Sequence, residues 1–139
     1  MTASDLTAAV AAIYDTWMRT VDQIGPVLAE HRLTTATFQA LWAISPDEQP
    51  PSMKALAERL YCNAPNLTFM TNQLADRGLV ERVVDPADRR SRVVVLTRKG
   101  REVRDEVLRA VLDKTPLGTL TEDELRQLAN LLDSARRRS

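Results

Sequence analysis

The sequence has few of the residues on which metal-binding and catalytic sites depend. Its 139 residues include a single cysteine, Cys62, and a single histidine, His31. One cysteine excludes an internal disulfide framework, and one histidine with one cysteine gives no metal-ligand set at a recognisable spacing. No nucleophile stands beside a base in a pattern typical of covalent catalysis. We therefore expect no enzyme, no cofactor and no metal site.

Long hydrophobic runs are also missing. No apolar stretch approaches the roughly 18 residues that a membrane-spanning helix needs. The N-terminal sequence MTASDLTAAV has no basic region before its apolar part, so it does not resemble a signal peptide. The length suits one domain. We expect a cytoplasmic protein of a single domain, residues 1–139, without a membrane partner.

The net charge is zero, but the charges are distributed unevenly. Residues 1–50 contain two Lys or Arg and six Asp or Glu, residues 51–104 contain eleven and six, and residues 105–139 contain six and seven. Phosphate binding depends on a local excess of positive charge more than on the global balance. The central segment is therefore the candidate for nucleic-acid binding.

Helical periodicity occupies both ends of the chain. Apolar residues recur every three or four positions from residue 4 to about residue 30, which predicts a long first helix. Gly25-Pro26 predicts a kink or break near its end, because proline lacks an amide donor. Thr34 is the predicted cap of a second helix and Thr97 of a later one that breaks at residues 115–118. A capping box at residues 121–124 opens the last helix.

The centre of the sequence predicts a helix-turn-helix. Two short helical patterns, Ser52–Leu60 and Asn63–Arg77, are separated by a tight turn. Ser52 and Asn63 are typical N-caps, and Pro65 is tolerated in a first turn. Gly78 ends the second helix in the way that a glycine commonly does.

A basic hairpin follows. The apolar runs Leu79–Val84 and Val93–Leu96 flank a polar tip that contains an Asp-Pro turn and three arginines. These are Arg89, Arg90 and Arg92. Guanidinium groups at a hairpin tip can reach phosphates or a narrow groove, although a charged turn alone fits simple solvation equally well. A helix-turn-helix followed by a basic hairpin is the order of a winged helix-turn-helix.

The segment resembles the MarR family of winged-helix transcriptional regulators. The motif that carries the resemblance is Asp88-Arg89-Arg90, five residues, then Leu96-Thr97, followed by Gly100. The upstream stretch LAERLYCNAPNLTFMTNQLADRGLVER also fits. The resemblance covers essentially the whole chain. It implies a mainly α fold of six helices with a two-stranded β-wing, in which residues 1–33 and 98–139 are dimerisation helices and residues 34–97 are the DNA-binding core.

The resemblance also implies how such a protein works. It implies a homodimer, usually a repressor, that binds double-stranded DNA at a palindromic operator. The second helix of the motif is the recognition helix and enters the major groove, while Arg90 enters the minor groove and Asp88 helps to position the wing. Many members lose DNA affinity when a small, often aromatic or phenolic, molecule binds.

The predicted recognition helix departs from the family pattern, because its stretch APNLTFMTNQ has no charge. Arginine–guanine pairs are the commonest specific contacts, and here amides, a hydroxyl and Phe69 take their place. The expected DNA contacts are Lys54, Asn63, Pro65, Asn66, Thr68, Phe69, Asn72, Arg89, Arg90 and Arg92. Arg59, Arg77 and Arg82 are weaker candidates. The neutral helix also motivates a second hypothesis, a winged-helix module that binds a protein partner without sequence-specific DNA binding.

Two further predictions concern isolated residues. Tyr14, Trp17, His31 and Trp42 are candidates to line a ligand pocket, although core aromatics and a surface histidine explain them as well. Cys62 is expected to be a half-buried turn residue; because it adjoins the recognition helix, oxidation there is an open alternative. No basic residue adjoins it in the sequence to activate its thiol.

Overall fold

The computed structural model describes residues 3–139 and confirms the predicted mainly α fold with a two-stranded antiparallel wing. No helix in this range combines the length and apolarity that crossing a membrane requires. The elements in chain order are α1 (Ala3–Glu30), α2 (Thr35–Trp42), α3 (Met53–Arg59), α4 (Ala64–Asp76), β1 (Val80–Asp85), β2 (Asp88–Leu96), α5 (Arg98–Lys114), a 3-10 turn (Pro116–Thr119) and α6 (Glu122–Arg138).

The predicted N-caps are present in the structure. The side chain of Ser52 accepts a hydrogen bond from the Ala55 amide at 3.0 Å, and Asn63 Oδ1 accepts one from the Asn66 amide at 2.8 Å. Thr34 forms a capping box at the start of α2, and Thr121 forms one at the start of α6. Each bond satisfies an amide that has no partner within its own helix. These polar residues therefore fix where α2, α3, α4 and α6 begin.

Of the kink or break predicted at Gly25-Pro26, the break is wrong, because α1 continues through Pro26 to Glu30; the kink stays a prediction. An internal proline costs a helix about 3 kcal/mol. Ile24 is fully buried and Leu28 is 5% exposed. Burying two such side chains contributes about 3–6 kcal/mol, which offsets the cost.

The chain forms two compact units. Of the described residues, one unit contains residues 3–24 together with Val111–Ser139. Within this unit, Thr20 is buried and its hydroxyl lies 3.0 Å from that of Thr115, so α1 is tied to the turn after α5. Many large apolar side chains of this unit are exposed, and they include Leu6, Val10, Ile13, Tyr14, Met18, Leu112, Leu125, Leu131 and Leu132.

The other unit is Gly25–Ala110 and contains the helix-turn-helix and the wing. α2 and α3 both contact α4. An isolated antiparallel β-bridge between Ser52 and Val93 attaches the start of α3 to β2. Next to it, the Val94 amide donates a hydrogen bond to the Pro51 carbonyl at 2.9 Å. The buried core consists mainly of Leu33, Phe38, Leu41, Ile44, Leu56, Leu67, Leu74, Leu79, Val80, Val94, Val103 and Val107.

The end of α4 is joined closely to the start of α5. Gly78 has a φ of 74° and allows the Leu79 amide to bond back to the Leu74 carbonyl at 2.9 Å. On α5, Lys99 Nζ donates a hydrogen bond to the Arg77 carbonyl at 3.1 Å. Thr97, just before α5, donates from its hydroxyl to the Gly78 carbonyl at 2.5 Å and from its amide to the Leu79 carbonyl at 3.0 Å. The strands of the wing thus begin and end at one fixed point.

Candidate nucleic-acid interface

α4 presents a polar, uncharged face to solvent. Leu67, Thr71 and Leu74 are its buried residues. The side chains predicted to contact DNA from this region are all exposed, and they are Asn63, Pro65, Asn66, Thr68, Phe69 and Asn72. Phe69 is 63% exposed, a large fraction for an aromatic residue. Lys54 on α3 is exposed too. The only charge on α4 is Asp76, at its last position.

The three wing arginines lie within β2 instead of at the tip. The strand already begins at Asp88, and the turn itself is formed by Pro86 and Ala87. In the register of the hairpin, Arg92 lies opposite Val84 and Asp88 lies opposite Asp85, so residues 89–91 have no partner on β1. They form a bulge, and a bulge redirects the side chains that it carries.

Asp88 fixes the shape of this bulge. Its Oδ1 accepts a hydrogen bond from the Arg90 amide at 3.0 Å, and its Oδ2 accepts one from the Ser91 hydroxyl at 3.3 Å. Asp85 Oδ1 accepts the Ala87 amide at 2.9 Å and closes the turn. The backbone that carries Arg90 is therefore held by a carboxylate. This geometry is what a wing-positioning role for Asp88 requires, and the role itself stays a prediction.

The arginines of the wing are available to a partner. Arg89, Arg90 and Arg92 are exposed, and none of them forms an ion pair with another residue in the range 3–139. An unpaired guanidinium presents five N–H donors and a permanent charge. The hairpin can therefore bind phosphates or enter a narrow groove without first breaking an internal contact.

A further arginine connects the wing to α4. Arg82 on β1 donates from Nη2 to Oδ1 of Asn72 at 2.5 Å. From the sequence alone Arg82 is a weak candidate, because ten positions separate it from Asn72 across a helix end and a turn, and no spacing rule links the two residues. The contact places a guanidinium beside the uncharged face of α4. That face and the hairpin are therefore parts of one surface.

The residues of the predicted ligand pocket differ in their exposure and in their contacts. Tyr14 is 66% exposed and Trp17 is half-buried, both on α1. Trp42 packs its ring on Phe38 with centroids 5.5 Å apart, and its carbonyl accepts a hydrogen bond from the buried Arg104 at 3.0 Å. His31 lies near Glu106. The pocket stays a prediction, whereas the expected half-burial of Cys62 is confirmed.

A helix-turn-helix that leads into a hairpin with exposed arginines defines the winged helix-turn-helix class of DNA-binding proteins. The sequence model of the MarR family matches residues 33–91, which contain α2 to α4 and most of the wing. Over this segment, the chain is similar to the MarR family. Members of this family are transcriptional regulators and not enzymes.

Individual relatives agree with this assignment. The chain is 26% identical over 121 residues to the HTH-type transcriptional regulator SarZ of Staphylococcus haemolyticus, covering 86% of this chain and 81% of SarZ. The fold is similar to a MarR transcriptional regulator from Methanosarcina mazei, with a TM-score of 0.80, 20% identity, and 95% and 96% of the two chains covered.

A third relative is known in two bound states. The transcriptional repressor CouR bound to a 23-mer DNA duplex matches with a TM-score of 0.74 and 24% identity over 98% of both chains. CouR from Rhodococcus jostii bound to p-coumaroyl-CoA matches with a TM-score of 0.74 and 20% identity, covering 94% of this chain and 88% of that one.

Proposed function

We propose that the protein is a homodimeric repressor that binds a pseudo-palindromic operator in double-stranded DNA. The observation that carries the proposal is the hydrogen bond between Arg82 and Asn72, because it joins the exposed face of α4 to the hairpin as one surface. The likeness to CouR, a repressor known on a DNA duplex, supports it.

In this proposal α4 lies in the major groove and discriminates bases with uncharged groups. Asn66 and Thr68 offer an amide and a hydroxyl, and Phe69 offers an apolar surface for a thymine methyl group. Asn63 contributes less to base contacts than the sequence suggested, because its Oδ1 already caps α4. Without arginine on the helix, specificity favours A·T-containing positions over guanine.

The affinity then comes mainly from cations around α4. Lys54 lies on α3 and Arg82 on β1, while Arg89 and Arg90 lie in the bulge of β2 and Arg92 directly follows it. Phosphate contacts of this kind position a protein on the duplex and release counterions. We assign Arg90 to the minor groove, where a guanidinium is most favourable if the groove is narrow.

The exposed apolar residues of α1 and α6 support a homodimer. Leu6, Val10 and Ile13 are each more than half exposed, and Leu131 is 69% exposed. A soluble monomer rarely exposes so many large aliphatic side chains on neighbouring helices. We propose that residues 1–33 and 98–139 contain the dimerisation helices, and that a two-fold dimer places two copies of α4 about one helical turn of DNA apart.

A small aromatic molecule is the proposed effector. CouR binds p-coumaroyl-CoA, an aromatic thioester. Tyr14, Trp17 and Trp42 are amphipathic aromatic side chains of the kind that line ligand pockets. With His31, they are the proposed contacts of the effector. Binding of the small aromatic molecule would weaken the complex between the protein and DNA.

The proposal is tested by selecting genomic fragments that the purified protein retains and footprinting them. We expect a protected pseudo-palindrome with half-site centres ~10 bp apart. Protection of a single asymmetric half-site would contradict the dimeric arrangement. Retention of all fragments equally, or of none, would favour the alternative in which Phe69 and its neighbours bind a protein partner.

A further inference from the structure

Three potential metal ligands come together within the unit Gly25–Ala110. Glu30 is the last residue of α1, His31 follows it, and Glu106 lies on α5. One donor atom from each side chain lies within 4.8 Å of the other two. The sequence does not reveal the set, because 75 residues separate His31 from Glu106 and the set contains only one histidine.

The imidazole of His31 is held in an unusual environment. Its Nε2 is buried and forms no hydrogen bond within the part of the chain that the structure describes. The Oε2 atom of Glu106 lies 2.9 Å from this nitrogen, at ion-pair distance. A buried nitrogen and a carboxylate oxygen at this distance need a cation between them, either a proton or a metal ion. The lone pair of a neutral imidazole is the commonest metal ligand in proteins.

We propose that Glu30, His31 and Glu106 bind a divalent transition-metal ion such as Zn²⁺. In a tetrahedral zinc site with ligands at about 2.0–2.2 Å, the ligand atoms are ~3.4 Å apart. The separations in the cluster, 2.9 Å for one pair and no more than 4.8 Å for the others, reach this value with small side-chain rotations. The two glutamates are exposed, so an ion can enter and a water molecule can complete its coordination.

The charges around the cluster do not prevent this. Three cations, Arg32, Lys99 and Arg77, line the adjoining cavity of about 440 Å³, and Arg32 is exposed, so solvent and salt screen its charge. Lys99 and Arg77 each donate a hydrogen bond to a carbonyl at the C-terminal end of α4, Lys99 to Arg77 at 3.1 Å and Arg77 to Gln73 at 3.3 Å. Their charges are thus directed at the negative end of a helix dipole. Asp76 adds a further carboxylate to the same cavity.

The position of the cluster links it to DNA binding. Asp76 is the last residue of α4 and Arg77 its C-cap, so the cavity lies at the end of the helix proposed to enter the major groove. A metal ion that joins Glu30 and His31, at the end of α1, to Glu106 on α5 would change the packing around the C-terminal end of α4. The effector role of the metal rests on the proposed function, whereas the metal site itself does not.

Calorimetric titration of the metal-free full-length protein with Zn²⁺ tests the site. We expect one ion per chain, and a loss of affinity of about tenfold or more in His31→Gln and in Glu106→Gln. Glu102→Gln is the matched control, because Glu102 lies one turn earlier on α5 and pairs with Arg98; it should bind like the wild type. Circular dichroism verifies that each variant is folded. Absence of binding, or equal affinity in all four proteins, overturns the proposal.

DNA affinity measured with Zn²⁺ and with a chelator tests the effector role. We expect a difference of about fivefold or more in the wild type and none in His31→Gln. By linkage, DNA must change the affinity for Zn²⁺ by the same factor. Equal DNA affinity in both conditions overturns the effector role. Loss of DNA binding with intact Zn²⁺ binding contradicts the proposed function and leaves the metal site standing.

Discussion

Arg82 on β1 donates a hydrogen bond to the amide oxygen of Asn72 on α4, with its Nη2 2.5 Å from Oδ1. Because a guanidinium can only donate, the contact fixes the orientation of the amide and leaves its NH₂ group free to face a partner. Asn72 then presents mainly donors, which suit acceptors such as thymine O4 or guanine N7 better than the paired donor and acceptor of adenine.

The first prediction concerns this pair. Arg82→Ala should weaken DNA binding and also relax the sequence preference that Asn72 provides. In a double-mutant cycle with Asn72→Ala, we expect a coupling of about 0.5–3 kcal/mol in DNA affinity. Arg109→Ala, which removes an exposed arginine from α5, is the control and should leave affinity unchanged. Additive effects of the two substitutions would mean that the pair does not act as a unit on DNA.

The second prediction separates the wing from the recognition helix. Arg90→Ala should weaken binding to most sequences and lower the slope of log affinity against log salt by about 0.9, because one phosphate's counterion is no longer released. If Arg90 lies in the minor groove, the loss should be larger on A·T-rich flanks. Asn66→Ala should instead change preference at one position by about 1–3 kcal/mol and keep the slope.

Salt titrations of both variants on cognate and scrambled DNA measure these effects. Equal losses and equal slopes for Arg90→Ala and Asn66→Ala would show that the two residues do not have the separate roles assigned to them. Asp88→Asn should resemble a weaker Arg90→Ala, because it perturbs the carboxylate that holds the bulge without removing the guanidinium.

Much of the proposed DNA-binding surface could be predicted from the sequence, because many of its residues act through contacts that are local in the chain. Asn63, Gly78 and Thr97 act through bonds to residues close in sequence or through one backbone conformation, so their roles follow from residue type and position. The hydrogen bond of Arg82, the bulge at residues 89–91 and the meeting of His31 with Glu106 depend on strand register and helix packing. Side-chain periodicity does not determine those.

The third prediction tests the dimer. Val10 is 57% exposed on α1, so Val10→Asp should leave each chain folded but place a carboxylate in the interface. The buried charge costs several kcal/mol, and the dimer dissociation constant should rise by about a hundredfold. Arg19→Ala on the same helix is the control, because its ion pair with Asp15 is exposed. Sedimentation that finds a folded wild-type monomer at micromolar concentration would contradict the prediction.

The fourth prediction contrasts two glycines. A Cβ on Gly100 would overlap the carbonyl oxygen of Leu79 and lie 2.8 Å from its carbonyl carbon, whereas a Cβ on Gly25 would meet nothing within 4 Å. Gly100→Ala should therefore lower the free energy of unfolding by about 1–3 kcal/mol. Gly25→Ala, inside α1, should raise it by about 0.5–1 kcal/mol. Chemical denaturation measures both, and equal effects would show that the approach of Gly100 to Leu79 is not tight.

The fifth prediction concerns the aromatic effector. The chain has only two tryptophans, Trp17 and Trp42, and both are candidates to contact the effector, so intrinsic fluorescence can report its binding. A phenolic acid or its thioester should change this fluorescence and lower DNA affinity at the same concentrations, and Trp17→Phe should remove part of the optical signal. A screen of such compounds without any effect on fluorescence or DNA affinity would remove the support for this class of ligand.

The carbonyls of Arg77, Gly78 and Leu79 all accept hydrogen bonds from the first residues around α5. The chain therefore leaves this junction at Leu79 and returns to it at Thr97. A segment with both ends anchored at one place can vary in length and sequence at a small entropic cost. The outer part of the wing, residues 84–92, is consequently an exchangeable module. A lineage, or an engineer, can replace it to alter contacts beside the proposed operator core while Arg82, α4 and their base preferences stay in place.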